Sequence, residues 1–82
     1  MTKEDIFQII TDHTKEVVEE LKNHNFSQTD SLKDLGANSI DRAEILTMTM
    51  ESLELDVPRT ELFGAKNMGD LAEIFYAKKS QS

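Results

Sequence analysis

The apolar residues of this chain recur at intervals of three and four positions, and this spacing limits what the chain can fold into. Such spacing places side chains on one face of an α-helix, whereas the alternation that predicts a strand never extends over a useful length. The N-terminal set consists of Ile6, Phe7, Ile9, Ile10, Val17, Val18 and Leu21. Thr2, followed three residues later by Asp5, resembles a capping box. The pattern predicts a first helix from about Lys3 to Asn23.

A polar stretch follows this helix, from His24 to Asn38. It is rich in Asn, Ser, Thr, Asp and Gly, the residue types that favour turns and loops. Only Phe26, Leu32 and Leu35 interrupt it with apolar side chains. We therefore expect a long loop that these three residues anchor to the core.

The second half of the sequence predicts three more helices. One runs from Ser39 to Leu53, with Ser39 as its N-cap. A short one runs from Pro58 to Phe63, because proline suits a first helical turn. The last is capped by Asn67 together with Asp70. Its apolar residues at helical spacing are Met68, Leu71, Ala72 and Phe75.

Together these elements predict an all-α fold. It is a small four-helix bundle of three main helices and a short third helix, with a long loop between helices one and two. A chain of 82 residues fits a single domain, spanning 1–82, in which a deep catalytic cleft is not expected. We expect a monomer with flexible ends at residues 1–2 and 79–82, including a disordered tail of Ser80, Gln81 and Ser82.

Composition excludes several classes of function. The chain has no cysteine and only two histidines, His13 and His24, so we expect neither disulfides nor a metal site. A calcium loop starting at Asp30 would need oxygen ligands where Leu32 and Lys33 stand. The net charge of −7 opposes nucleic-acid binding and favours partners with basic docking surfaces. With neither a signal peptide nor a membrane-spanning run in the sequence, we expect a cytoplasmic protein that does not bind membranes.

Ser39 stands at the predicted start of the second helix. As an N-cap, its hydroxyl would accept a hydrogen bond from the backbone of Asp41 or Arg42. The same helix end, with its free N–H groups and positive dipole, would also accommodate a phosphate linked to that hydroxyl. A catalytic role for Ser39 would need a nearby base, and neither histidine belongs to a recognisable triad pattern. The sequence therefore predicts a site of attachment and not an enzyme.

Around this serine the sequence resembles the acyl carrier proteins. The resemblance lies in Gly36-Ala37-Asn38-Ser39-Ile40, and it extends to the chain length, the acidity and the helix order. It implies that a phosphopantetheinyl transferase moves 4′-phosphopantetheine from coenzyme A to Ser39. Two positions depart from the common motif, since Asn38 replaces the usual Asp and Ile40 replaces the usual Leu.

Three longer tracts resemble a narrower group, the free-standing donor acyl carrier proteins of polyketide β-branching cassettes. They are Ala37-Asn38-Ser39-Ile40-Asp41-Arg42-Ala43-Glu44, Val57-Pro58-Arg59-Thr60-Glu61-Leu62 and Gly64-Ala65-Lys66-Asn67-Met68-Gly69-Asp70-Leu71. The resemblance implies a carrier that presents acetyl, made from malonyl by decarboxylation, to an enzyme similar to HMG-CoA synthase. It further implies an acyltransferase and a ketosynthase-like decarboxylase as partners.

The second helix offers a candidate docking surface beside Ser39. Ile40, Ala43, Thr47 and Met50 share one stripe, while Ile45, Thr49 and Leu53 share another. If the second stripe is core, the first is a mildly apolar surface suited to transient docking. The candidate docking surface consists of Asn38, Ile40, Asp41, Arg42, Ala43, Glu44, Thr47, Met50 and Glu51. If neighbouring helices cover both stripes, Met50 is buried, whereas the resemblance predicts that it is exposed.

Other interpretations remain open at this point. Arg42 can bind the phosphate of the arm, influence the choice of partner, or simply be solvated. A fatty acyl or D-alanyl carrier would have the same attachment site. A different class of protein, an unmodified acidic helical module that docks basic partners, would use Ser39 as a helix cap alone.

Overall fold

The computed structural model describes residues 1–81 and shows an all-α bundle, as the sequence predicts. The helices are α1 (Lys3–Val17), α2 (Ser39–Leu53), α3 (Arg59–Leu62) and α4 (Met68–Gln81). A single 3₁₀ turn, Glu19–Leu21, follows α1. No strand occurs within residues 1–81. The short third helix begins and ends one residue inside the range predicted for it.

The first helix is shorter than predicted, because it ends at Val17 and not at Asn23. Val18 adopts an extended conformation, and its side chain is buried in the core. Two glutamates, Glu19 and Glu20, would oppose the negative end of the helix dipole if α1 continued through them. In the 3₁₀ turn they instead lie at the start of a new helical segment, where negative charge is favourable.

The predicted caps of α1 and α4 are confirmed. Thr2 Oγ1 accepts from the Asp5 N–H at 3.1 Å, and the Asp5 carboxylate accepts from the Thr2 N–H at 2.9 Å. That backbone N–H holds the pKa of Asp5 below its usual 3.8. At α4, Asn67 Oδ1 accepts from the Asp70 N–H at 2.8 Å, and the Asp70 carboxylate accepts from the Lys66 N–H at 3.0 Å. Both helices therefore begin where their capping residues satisfy free N–H groups.

The core lies where α1 packs against α2 and α4. Its fully buried side chains come from all three helices, and the largest are Phe75, Ile6, Ile10, Ile45, Leu53 and Met68. The loop between α1 and α2 contributes Leu32 to this core, while Phe26 and Leu35 pack against its edge. These three contacts confirm the predicted anchors of the long loop.

The loop is also joined to the first turn of α4 through its backbone. The Met68 N–H donates to Asp30 O at 2.8 Å, and the Gly69 N–H donates to Gln28 O at 2.9 Å. The Asp30 side chain accepts from the Ser27 N–H at 2.9 Å and lies 3.0 Å from His24 Nε2. These two groups, the Ser27 N–H foremost, lower the pKa of Asp30. Local and long-range hydrogen bonds thus fix the same loop segment.

The C-terminal end differs from the prediction of a disordered tail. Ser80 and Gln81 continue α4, and Ser82 lies outside the described residues. Lys79, which the sequence placed in a flexible end, is half-buried and donates to Leu53 O at 2.8 Å. A lysine near a helix C-terminus also interacts favourably with the carbonyl end of its own helix.

We predict that Gly69→Ala destabilises the fold by about 1–3 kcal/mol, because overpacking forces neighbouring atoms apart. A Cβ at Gly69 would lie 3.0 Å from both the Cβ and the backbone oxygen of Gln28. Gly64→Ala is the matched control, since a Cβ there meets nothing within 4 Å. Urea unfolding of the two variants measures the difference. Equal stability would show that the loop is not held closely against α4.

Candidate functional site

Ser39 is the first residue of α2, and its side chain is exposed. The N-cap is Asn38, so the prediction that Ser39 itself caps the helix is wrong. Asn38 Oδ1 accepts from the Asp41 N–H at 2.8 Å, and the Asp41 carboxylate accepts from the Asn38 N–H at 3.4 Å. The sequence contained this signal, because a capping box needs an acid three residues after the cap. Asn38 has Asp41 at that distance, whereas Ser39 has Arg42.

The serine hydroxyl is therefore not used for capping. Within residues 1–81 it makes no hydrogen bond, and it lies in the first turn of a helix of 15 residues. Free backbone N–H groups and the positive end of the helix dipole favour negative charge at such a position. The hydroxyl is accessible, and a phosphate attached to it would be stabilised.

The turn before Ser39 is held rigidly. Gly36 has a φ of 100°, a left-handed conformation that glycine adopts without strain. Ala37 is only 2% exposed, and its N–H donates to Leu32 O at 3.0 Å. A buried residue thus stands two positions before the exposed serine. The site combines a fixed backbone with an accessible hydroxyl.

A cleft of about 640 Å³ opens beside Ser39. The loop before α2, α2 itself, α3 and the segment leading into α4 all contribute to its walls. Its apolar lining consists of Leu32, Ala43, Leu46, Leu62, Phe63, Ala65 and Leu71. Its charged lining consists of Lys33, Arg42, Arg59 and Lys66. We call this the basic cleft, because each of its charged lining residues is a lysine or an arginine.

The two stripes of α2 differ in burial. Ile45, Thr49 and Leu53 are buried, so this stripe is core. In the other stripe Ile40 is 76% exposed and Thr47 is exposed, while Ala43 is half-buried. Met50 is also half-buried, and its sulfur accepts from the Val57 N–H at 3.4 Å. The expected exposure of Met50 is therefore wrong, because the segment after α2 folds against it.

The remaining residues of the candidate docking surface form a polar border. Asn38, Glu44 and Glu51 are exposed, whereas Asp41 and Arg42 are half-buried. The structure thus presents Ile40 as an exposed apolar residue beside Ser39, with acidic side chains further along α2. Met50 contributes only the partly covered end of this surface.

Arg42 is not simply solvated. Its Nη1 donates to Ala37 O at 2.7 Å and so braces the turn before Ser39. Arg59, which sequence reasoning missed, is the first residue of α3, and its side chain reaches α2. Its Nη2 donates to Thr47 Oγ1 at 2.8 Å and to Ala43 O at 3.3 Å. The only sequence signal for Arg59 was its place after the proline that opens the short helix.

Within residues 1–81 the histidine, aspartate and glutamate side chains form no group of three that could hold a metal ion. None of the helices in that range is long and apolar enough to cross a membrane.

Comparison with known proteins gives the chain its family. Residues 6–75 match the family described as phosphopantetheine attachment site. The chain belongs to this family. Membership implies a covalent phosphopantetheine group on a serine.

Two known proteins are similar to this chain over almost its whole length. The polyketide biosynthesis acyl-carrier-protein AcpK of Bacillus subtilis (strain 168) is 50% identical over 78 residues, which cover 95% of each chain. A chain from the crystal structure of the curacin biosynthetic pathway HMG synthase in complex with acetyl donor-ACP superposes with a TM-score of 0.89. It is 51% identical, and the match covers 95% of the present chain and 100% of the other. The present protein is an acyl carrier protein, a carrier and not a catalyst.

The structure fits the group that the family carries. The exposed, unbonded hydroxyl of Ser39 lies at a helix N-terminus, and the basic cleft begins beside it. An anionic phosphodiester would find positive potential there from both the helix end and the arginine side chains. Of the lining residues, Arg42 lies nearest in sequence to Ser39, one turn further along α2.

We predict that Asn38→Ala destabilises the protein by about 1 kcal/mol, since it removes the N-cap acceptor. Ser39→Ala should change stability by less than about 0.5 kcal/mol, because its hydroxyl bonds nothing in the fold. Asn38→Asp is the control that keeps an acceptor at the cap. Chemical unfolding of the unmodified proteins compares the three variants. A larger loss for Ser39→Ala than for Asn38→Ala would identify Ser39 as the cap after all.

Proposed function

We propose that Ser39 carries the 4′-phosphopantetheine arm and that this chain delivers acetyl, made from malonyl by decarboxylation, to an HMG-CoA-synthase-like enzyme of polyketide β-branching. The observation that carries the proposal is the exposed, unbonded hydroxyl of Ser39 at the start of α2. When bound, the arm supplies a terminal thiol that holds acyl groups as thioesters, which a chain without cysteine cannot do itself.

The other serines of the family-matched range are engaged in the fold. Ser27 Oγ lies 2.9 Å from Thr29 Oγ1, and Ser52 Oγ lies 2.7 Å from His13 Nε2. Ser31 Oγ accepts from the Asp34 N–H at 3.5 Å. None of these three lies at the N-terminus of a helix. Accessibility and electrostatics therefore favour Ser39 as the attachment point.

The attachment reaction uses Ser39 as the acceptor. Its Oγ forms a bond to the phosphorus that bears the pantetheine of coenzyme A, and the adenosine bisphosphate leaves with the electrons of the broken P–O bond. The hydroxyl proton passes to a base of the phosphopantetheinyl transferase, since no histidine of this chain bonds to Ser39 within residues 1–81. The carrier's own contribution is a hydroxyl held in a fixed position.

Both similar proteins support a role in polyketide or related biosynthesis, and the HMG synthase complex supports the β-branching role in particular. One is described as a polyketide carrier and the other structure as a complex of HMG synthase with an acetyl donor-ACP. Each is about half identical to this chain over nearly its whole length. The HMG synthase complex supports an HMG-CoA-synthase-like partner. We further propose, from the sequence resemblance, an acyltransferase that loads malonyl and a ketosynthase-like decarboxylase. We place the protein in the cytoplasm as a monomeric single domain spanning 1–82.

The proposed docking surface surrounds Ser39. Exposed Ile40 supplies an apolar contact, and Glu44 and Glu51 supply negative charge to a basic partner. The remaining members, Asn38, Asp41, Arg42, Ala43, Thr47 and Met50, form the border of this contact. A small contact of this kind binds weakly, so the carrier can leave one enzyme and visit the next. The tether raises the local concentration of cargo once docking occurs.

We predict that the purified protein, incubated with coenzyme A, magnesium and a broad-specificity phosphopantetheinyl transferase, gains the mass of one phosphopantetheine group. Ser39→Ala should abolish the addition, and intact mass spectrometry measures it. Ser31→Ala is the matched control, because that serine also lines the cleft but is bonded to the loop. An unchanged mass for the folded wild type, beside a control carrier modified in parallel, would refute the proposed site and favour the unmodified interaction module.

We further predict that the acetyl-loaded protein replaces acetyl-CoA as donor for a β-branching HMG-CoA-synthase-like enzyme. Ile40→Glu should lower kcat/KM about tenfold, the equivalent of about 1.4 kcal/mol at an interface anchor. Tyr76→Glu is the control, because Tyr76 is also exposed but lies on α4, outside the proposed docking surface. It should leave kcat/KM unchanged. The absence of turnover with acetyl-loaded protein would leave a fatty acyl or D-alanyl carrier, which the acyl group on natively isolated protein would identify.

A further inference from the structure

Charge is distributed unevenly between the basic cleft and the rest of the protein. The chain has a net charge of −7, with 16 acidic and nine basic residues. Four of the nine basic residues line the basic cleft. None of its lining residues within 1–81 is acidic. A cleft whose charged lining is entirely basic therefore lies beside Ser39 in an acidic protein.

Stability does not explain the two lysines of this cleft. Within residues 1–81, the lysines outside the cleft differ in this respect: Lys78 pairs with Glu61, Lys3 Nζ lies 3.9 Å from Glu73 Oε2, and Lys22 has no ion pair. Within residues 1–81 the ammonium groups of Lys33 and Lys66 have no carboxylate partner and no hydrogen bond. Like charges brought together around a cleft repel one another unless an anion lies between them.

The two arginines are already oriented. Arg42 is fixed by its bond to Ala37 O, and Arg59 is fixed by its bonds to Ala43 O and Thr47 Oγ1. Each uses only one terminal nitrogen in these bonds, so further N–H donors of each guanidinium remain. Fixed guanidinium groups suit carboxylate or phosphate recognition, because little side-chain entropy is lost on binding.

The shape of the cleft fits a chain that starts at Ser39 and ends in an anion. Its volume of about 640 Å³ lies within the usual range for ligand pockets. Apolar walls that include Leu46, Leu62 and Phe63 suit the uncharged part of such a chain. A purely neutral cargo would need no unpaired lysines there. Ser39 itself lines the cleft, so a chain bonded to it starts at the cleft wall.

We propose that Lys33 and Lys66, supported by Arg59, bind the free carboxylate of malonyl carried from Ser39, so that the basic cleft retains malonyl and releases acetyl. The inference rests on the proposed function and adds a selective step to it. In the partner decarboxylase the bond from the methylene carbon to the carboxylate breaks, carbon dioxide leaves, and the remaining electron pair takes up a proton. The product has lost the group that the lysines bind. The carrier thus offers its cargo to the acetyl-accepting enzyme only after decarboxylation.

To test this, the isotopically labelled protein is loaded from coenzyme A, acetyl-CoA, acetoacetyl-CoA or malonyl-CoA. Amide correlation spectra are then recorded for each of the four forms. Acetoacetyl is the matched control for malonyl, because a methyl group replaces the charged oxygen at nearly the same size. We expect malonyl to shift the amide signals of Leu46, Leu62 and Ala65 at least about twice as far as acetoacetyl does. This excess should shrink when ionic strength rises from about 0.1 M to about 1 M, since salt screens charges near a surface.

Lys33→Gln combined with Lys66→Gln should abolish the excess shift. Lys3→Gln combined with Lys22→Gln removes the same amount of charge outside the cleft and should preserve it. Circular dichroism confirms that both double variants are folded. Intact mass, recorded on each sample, reports whether the arm and cargo are present, so a failure of attachment is not mistaken for a failure of retention.

Three results would overturn the proposal. Equal shifts for malonyl and acetoacetyl would mean that the cleft does not distinguish a charged cargo from a neutral one. Shifts that the arm produces without cargo, and that no cargo changes, would assign the basic residues to the phosphodiester alone. No shift with any cargo would leave the arm in solvent and assign the basic residues to an acidic segment of a partner.

Discussion

Two hydrogen bonds between the long loop and the first turn of α4 position the loop side of the site. The N–H groups of Met68 and Gly69 are helix-terminal donors with no partner in their own helix, and the loop supplies Asp30 O and Gln28 O to them. This contact places the loop across the end of the bundle, with Leu32 inserted in the core. The turn that leads to Ser39, and the loop side of the basic cleft, are positioned as a consequence. Ordering a loop of this length costs conformational entropy, which these hydrogen bonds and the burial of Leu32 help to offset.

The charge distribution separates two tasks on one small surface. The proposed docking surface lies on the exposed face of α2, where Glu44 and Glu51 present negative charge. The basic cleft shares Arg42 and Ala43 with that surface, and Lys33, Arg59 and Lys66 complete its positive lining. Partners and cargo thus meet opposite potentials within a few residues of the attachment point. Salt screens both kinds of interaction at exposed sites, which keeps each of them weak enough to be reversed.

The fold was largely predictable, because helical periodicity, caps and loop composition are local properties. Most of the wrong predictions arose where contacts between residues far apart in the sequence decide the structure. Helical spacing continues through Leu21, yet burial of Val18 and the charges of Glu19 and Glu20 end α1 earlier. Met50 is covered because the chain after α2 folds back to place the Val57 N–H on its sulfur. The roles of Arg59 and of the basic cleft depend on α3 lying against α2, a contact that no local pattern reveals. The choice between Asn38 and Ser39 as cap was within reach of the capping-box rule.

The replacement of the usual aspartate by Asn38 gains a physical meaning from this arrangement. Either residue can accept the Asp41 N–H and so cap α2, which means that the cap alone does not decide between them. They differ in charge, and the position lies next to Ser39, which lines the basic cleft. An aspartate there would lower the positive potential that an anionic arm meets, and would repel an anionic cargo directly. Asparagine keeps the helix start in place without adding that repulsion. The departure from the common motif therefore agrees with a carrier whose cargo is, at one stage, negatively charged.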